Sequence, residues 1–269
     1  MSPLAFDRIA APEARPDRSV FLLHGILGSR RNWASFARRL AAARPRWQVI
    51  TVDLRGHGDS HGQAPPHTVA ACAQDLDRLA TQLGQRPEVV IGHSFGGKVA
   101  LGYAQAHGGG LSAAWSLDSP PGTRAGGDAD HEIAAVIAGI RALPMPVAGR
   151  PQVTAHFKHL GFSDGLAGWM TTNVERGPDG LRWRFDLDVV EALLADYWQF
   201  DLWPLLERPS PRIALHLLAA GRSDRFSPQA LAHAAAAPGV TLHRLPTAGH
   251  WVHIDDPDGL LAMLLPSFA

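Results

Sequence analysis

The sequence predicts an α/β fold: a mostly parallel central sheet flanked by helices and interrupted by a helical insertion. Two patterns predict it. Short runs rich in Leu or β-branched residues alternate with longer amphipathic segments, as parallel strands joined by crossover helices do. That rhythm lapses after Asp118 and returns near Ile213.

Taken in order, residues 19–24, 47–53, 88–92 and 111–118 read as the first four strands, each followed by Gly or Pro. Between the second and third, Val69, Cys72, Leu76, Leu79 and Leu83 recur at helical spacing. Gln74, Asp75, Asp77 and Arg78 fall largely between them, which describes a surface helix ending at Gly84. Beyond the fourth strand, Pro120, Pro121, Gly122, Gly126 and Gly127 open a stretch with helical pieces but no strand alternation, running to about 211. Strands resume at 213–220 and 240–246, with an Ala-rich helix at 228–237 between them and a closing helix after Pro257. An insertion into one sheet leaves its flanks in one domain. The expected division is a core of residues 1–120 and 209–269 and a helical cap of residues 121–208.

Composition narrows the function classes. The 269 residues carry 25 Lys plus Arg and 25 Asp plus Glu, so no basic field exists to hold a nucleic acid. With 46% hydrophobic and 19% charged residues, the chain is globular rather than disordered. The single cysteine, Cys72, supplies neither an internal disulfide nor a thiolate metal site. Residues 1–17 lack an apolar stretch of signal-peptide length, and no run approaches the roughly 20 residues of a membrane span. A cytoplasmic protein without a membrane span is expected, its oligomeric state left open.

Chemistry enters at Gly92-His93-Ser94-Phe95-Gly96-Gly97-Lys98, where a strand of Val89, Val90 and Ile91 turns sharply into a helix beginning near Lys98. A nucleophile elbow needs this pattern, because side chains two positions either side of the serine would strike the neighbouring strand and helix. Ser94 is the candidate nucleophile, set over a helix N-terminus that favours developing negative charge. A phosphate loop is the competing pattern, but Val99 lacks the hydroxyl that would hold magnesium. Two amides must face a tetrahedral intermediate; those of Phe95 and of Ile26, in the Gly-rich turn after the first strand, are the expected pair.

The base should follow the last strand. Gly249 frees the turn to aim His250 back over the sheet, and His253 is its competitor. Two aspartates qualify as the acid that orients it. Asp224, directly after the penultimate strand, is the first choice; Asp118, at the end of the fourth strand, is the alternative. A zinc pair of His250 and His253 lacks a third ligand, and no metal or other cofactor is expected.

Together these residues resemble the α/β-hydrolase superfamily over nearly the whole chain, in its small acyl-esterase branch of bacterial esterases and mitochondrial abhydrolase-domain proteins. The resemblance is carried by H-G-x-x-G-S at 24–29 with Asn32 and Trp33, V-D-L-R-G-H-G-D-S at 52–60, the elbow at 92–98, Trp183-Arg184-Phe185, and A-G-H-W-V-H at 248–253. It implies an α/β-hydrolase fold, Ser94 as nucleophile, His250 as base, and Phe95 with Ile26 as oxyanion donors. In part of the branch the aspartate matching Asp118 serves as the acid, so the likeness leaves both candidates standing. The turn holding His57, Asp59 and His61 is structural in the family.

Nine aromatic residues between Pro121 and Leu205, among them Trp169, Tyr197 and Trp198, describe a cap that buries its own core and presents an apolar wall to an acyl group. A serine at position 94 disfavours the dehalogenases and epoxide hydrolases of this fold, which attack with a carboxylate. The expected activity is hydrolysis of short to medium acyl esters or thioesters of small molecules. Alternatives on the same residues are a cofactor-free haloperoxidase, a carbon-carbon bond hydrolase, or a non-catalytic binder of small ligands.

Overall fold

In the computed structural model, which describes residues 2–124 and 128–269, the chain order is β1 (Phe6–Ile9), β2 (Arg18–Leu23), α1 (Ala34–Ala43), β3 (Trp47–Val52), α2 (Val69–Leu83), β4 (Val89–His93), α3 (Phe95–His107) and β5 (Ala113–Leu117). There follow α4 (Asp128–Ala142), α5 (Arg150–His159), α6 (Asp164–Thr172), β6 (Val174–Gly177), β7 (Gly180–Trp183), α7 (Leu187–Gln199) and α8 (Trp203–Glu207). The chain closes with β8 (Ala214–Ala220), α9 (Pro228–Ala236), β9 (Val240–Leu245), α10 (Val252–Asp255) and α11 (Pro257–Leu264).

Seven strands form one sheet in the order β1-β3-β2-β4-β5-β8-β9. All neighbours are parallel except β1, which pairs antiparallel with β3. Every strand expected from the sequence is present within one or two residues. The edge strand β1 was not legible, since four residues with an intermediate-exposed-exposed-intermediate pattern carry no usable period. The chain runs from β2 outward to β3 and then returns to β4 on the other side of β2. The loops leaving β2 and β4 therefore meet at a topological switch point, where open α/β sheets place their ligands.

Helix α2 shows why the crossover segments fold as they do. Val69, Cys72, Leu76 and Leu79 are buried on one face, the Thr68 hydroxyl accepts from the Ala71 N–H at 3.1 Å, and Gly84 ends the helix at φ +67°. Asp75 departs from the amphipathic reading. It is buried against Arg55, whose Nε lies 2.7 Å from its Oδ2, and Arg55 also donates to the Pro66 carbonyl at 2.6 Å. An ion pair with these added partners can be kept inside because few of its hydrogen-bonding positions go unmet.

The segment between β5 and β8 leaves the sheet and returns to the adjacent position, where Trp115 stands opposite His216. Gly126 and Gly127, read from sequence as part of its opening, lie outside the described residues. It is mainly helical but contains a hairpin, β6 paired antiparallel with β7, whose four-residue strands are too short to announce themselves by alternation. Val136, Val153, Phe157, Met170, Val190 and Leu194 pack into an apolar core of its own, which Leu27 joins and Ile26 packs against from the loop after β2. The insertion docks through main chain: Asp186 N–H donates to the Gly56 carbonyl at 2.8 Å, and Val189 packs so close to Gly56 that a Cβ there would sit 2.5 Å from Val189 Cγ1.

Candidate active site

Ser94 stands between β4 and α3 with φ 52° and ψ −121°, a conformation that is costly for a residue with a side chain. The turn is clamped by Ser94 N–H to Leu117 O at 2.9 Å and Gly97 N–H to Ser94 O at 2.7 Å. A Cβ on Gly92 would come within 1.8 Å of the Gly96 carbonyl oxygen, and one on Gly96 within 2.5 Å of His24 O. The two glycines are thus required by backbone crowding around the serine, as the elbow reading expects.

His250 reaches the same site from the loop after β9. Its Nδ1 lies 2.8 Å from Oδ2 of Asp118, a carboxylate 1% exposed at the end of β5. Asp118 is itself held: Oδ1 accepts from the Ala220 N–H at 3.0 Å and Oδ2 from the Ser223 hydroxyl at 2.6 Å, with the residue at φ 49°. Of the two aspartates weighed from sequence, it is the alternative, Asp118, that the fold brings to His250. Asp224 lines the cavity beside Arg222 and Arg225, but the carboxylate meeting His250 is that of Asp118. The physical reason is adjacency: β5 and β8 are neighbours, so the loop carrying Asp224 lies beside Asp118, and its serine serves as a donor to that aspartate.

With Nδ1–H directed at Asp118, His250 Nε2 is left as the acceptor. His93 supports His250, donating from Nε2 to its carbonyl at 2.7 Å. Burial first, then the neighbouring His250 and His253, hold His93 well below the usual histidine range, so it remains neutral. His253, the competing base, is buried 4.5 Å from the Trp33 ring, and burial lowers it to about 4. Among the described residues no three His, Cys, Asp or Glu side chains converge as metal ligands do.

The loop after β2 brings Ile26 to the cavity wall beside Ser94 and Phe95. Two buried histidines that the sequence did not mark as functional secure it. His24 Nε2 accepts from Leu54 N–H at 3.0 Å, and His57 Nε2 accepts from Leu27 N–H at 3.1 Å. Asp53, fully buried, accepts from Arg30 N–H at 2.6 Å and from Asp59 N–H at 2.9 Å and pairs with the Arg30 guanidinium. The sequence signal for these roles was the place of His24 and His57 next to glycines in the motifs at 24–29 and 52–60.

Above the serine lies a cavity of about 810 Å³ whose walls include Trp169, Tyr197 and Trp198 of the insertion and Trp251 of the β9 loop. Phe157 and Phe185 turn inward to the insertion's own core. Tyr197 is buried, with its hydroxyl 3.0 Å from Ser119 Oγ. Lys98, which completed most of a phosphate-loop pattern, is fully buried. Its ammonium donates to the carbonyls of Gly122 at 2.7 Å, Tyr197 at 2.6 Å and Phe200 at 2.8 Å. It joins α3 to both ends of the insertion, and these three carbonyls engage the ammonium that a phosphate loop would offer to phosphate.

A model of the alpha/beta hydrolase family matches residues 20–263. The sn-1-specific diacylglycerol lipase ABHD11 of Mus musculus is 30% identical over 266 residues, covering 96% of this chain and 83% of the relative. The magnesium-chelatase 30 kDa subunit of Rhodobacter capsulatus is 30% identical over 267 residues, covering 91% and 85%. Among solved structures, a marine microorganism esterase superposes with a TM-score of 0.86 at 23% identity over 99% of both chains, a likeness of fold.

Proposed function

We propose that this chain, which belongs to the alpha/beta hydrolase family, is a serine hydrolase that cleaves carboxylic esters or thioesters of short to medium acyl groups. The observation that carries the reading is the 2.8 Å contact of His250 Nδ1 with Asp118 at the wall of the cavity that Ser94 enters from its elbow. Ser94 Oγ attacks the acyl carbonyl while His250 Nε2 takes its proton, and the Asp118 carboxylate stabilises the imidazolium so formed. The amides of Phe95 and Ile26 hold the oxyanion, aided by the N-terminal end of α3. Collapse expels the alcohol or thiol with the proton from His250, leaving an acyl-Ser94 ester. Water, deprotonated by the same imidazole, then releases the acid and restores the serine. The insertion acts as the cap, its aromatic wall limiting acyl length and shape.

The test is a panel of p-nitrophenyl esters, acyl thioesters and a diacylglycerol, the last prompted by the lipase relative, run on wild type and Ser94→Ala. Turnover of a panel member that Ser94→Ala loses, with labelling of wild type by a fluorophosphonate, supports the reading. Equal turnover by the two proteins, or no labelling of wild type, overturns it.

A further inference from the structure

The turn that presents Ile26 is built against its own preference. Gly28 N–H closes onto Gly25 O at 3.0 Å, which makes Ile26 and Leu27 the central residues and leaves the Ile26 N–H outside the turn's hydrogen bond. Leu27, in the third position, has φ 61°. Turns with positive φ at that position ordinarily place glycine there, and a side-chain-bearing residue costs roughly 1–2 kcal/mol. Such strain persists where the surroundings over-determine it.

Two contacts do so, and both lead to the insertion. The Leu27 side chain is fully buried in the insertion's apolar core. Its N–H is taken by His57 Nε2 at 3.1 Å, while His57 Nδ1–H donates to the Arg55 carbonyl at 2.9 Å, so the ring is locked with Nε2 as acceptor. The His57 main chain makes an antiparallel bridge with Phe185, next to the Asp186 N–H bond to Gly56. One residue thus touches the docked insertion with its backbone and the turn with its ring.

We propose that His57 is a positioning residue through which docking of the insertion sets the oxyanion loop, fixing the Ile26–Leu27 peptide and with it the direction of the Ile26 amide. This rests on the reading of Ile26 as an oxyanion donor. Without the acceptor at position 57, Leu27 relaxes toward negative φ and the Ile26 N–H swings away from the point where negative charge develops. Substrate binding, carried by the apolar walls, is little affected. The effect falls on the transition state, the signature of an interaction made only there.

The experiment compares wild type, His57→Phe and His57→Gln for kcat and KM on a p-nitrophenyl ester, and for inhibition by an alkyl trifluoromethyl ketone, which forms a serine hemiketal oxyanion. His57→Phe is expected to lower kcat by about 10- to 100-fold, with KM changed less than about threefold and ketone affinity reduced in step. His57→Gln, whose amide oxygen can accept, recovers a large part of both. An active wild type whose His57→Phe variant keeps its kcat, or loses kcat without losing ketone affinity, overturns the coupling alone. Should His57→Phe fail to fold, Leu27→Ala, which keeps the N–H and frees the side chain from the insertion, is read by the same two measurements. Unchanged values there overturn the coupling as well. A wild type that neither hydrolyses the ester nor binds the ketone sinks the esterase reading, and the coupling falls with it.

Discussion

Asp118 Oδ2 meets His250 Nδ1 at 2.8 Å although 132 positions of chain separate the two residues, and the same oxygen accepts from Ser223 Oγ at 2.6 Å. Two strands and a whole insertion intervene. The pair exists because β5, β8 and β9 lie side by side, bringing the loops at their carboxyl ends to one rim of the sheet.

From that pair follows a ranking of the two acids. Asp118→Asn is expected to lower kcat by about 100- to 10,000-fold, because an amide neither fixes the imidazole tautomer nor stabilises the imidazolium. Asp224→Asn should change it by less than about threefold. Steady-state kinetics on one chromogenic ester decide it, with thermal melts to show that both variants fold; the opposite ranking moves the role to Asp224.

The elbow is predicted to be intolerant of a single methyl. Gly92→Ala places a Cβ where the Gly96 carbonyl oxygen already sits 1.8 Å away, and both contacting groups are backbone. A loss of more than about 4 kcal/mol, or failure to accumulate as soluble protein, is expected. A urea midpoint close to that of wild type contradicts it.

Lys98→Met tests the join between core and insertion. It leaves the carbonyls of Gly122, Tyr197 and Phe200 without their shared donor, at a cost on the order of 3 kcal/mol or more. Chemical unfolding monitored by tryptophan fluorescence should show the loss. A stability equal to wild type shows that those carbonyls find other partners.

Acid should destabilise the fold through its buried histidines. Burial, the leading cause in each case, lowers His57 to about 3 and His216 and His253 to about 4, against 6.5 for the unfolded chain. The unfolded state therefore binds more protons, and stability rises with pH. These contributions are complete above about pH 6.5 and fall away as pH drops toward 4. Urea midpoints across that interval should decline steadily, and His216→Gln should flatten the slope; a flat profile in wild type rules the account out.

The chain carried its local requirements in plain view. Gly92 answers to the Gly96 carbonyl four residues on, a steric limit that acts within the turn itself, so the sharp turn at Ser94 was legible in the sequence. The strands of the sheet were legible for a similar reason: buried parallel strands must be apolar throughout their short length. The hairpin of β6 and β7 and the edge strand β1 were not, because four residues hold too little pattern.

What only the tertiary structure decided was the choice among chemically equivalent groups. Asp118 and Asp224 both follow strands, and nothing local separates them; His250 and His253 both follow the last strand, and only Gly249 sets the first apart. Packing decides. A carboxylate becomes the partner of an imidazole when neighbouring strands supply donors that hold it in place, here Ala220 and Ser223, and burial against Trp33 keeps the other histidine neutral. The same holds for Lys98 and His57, whose partners lie far along the chain. Steric need is written in adjacent residues, whereas hydrogen-bond partnership between distant segments is set by which strands lie next to one another.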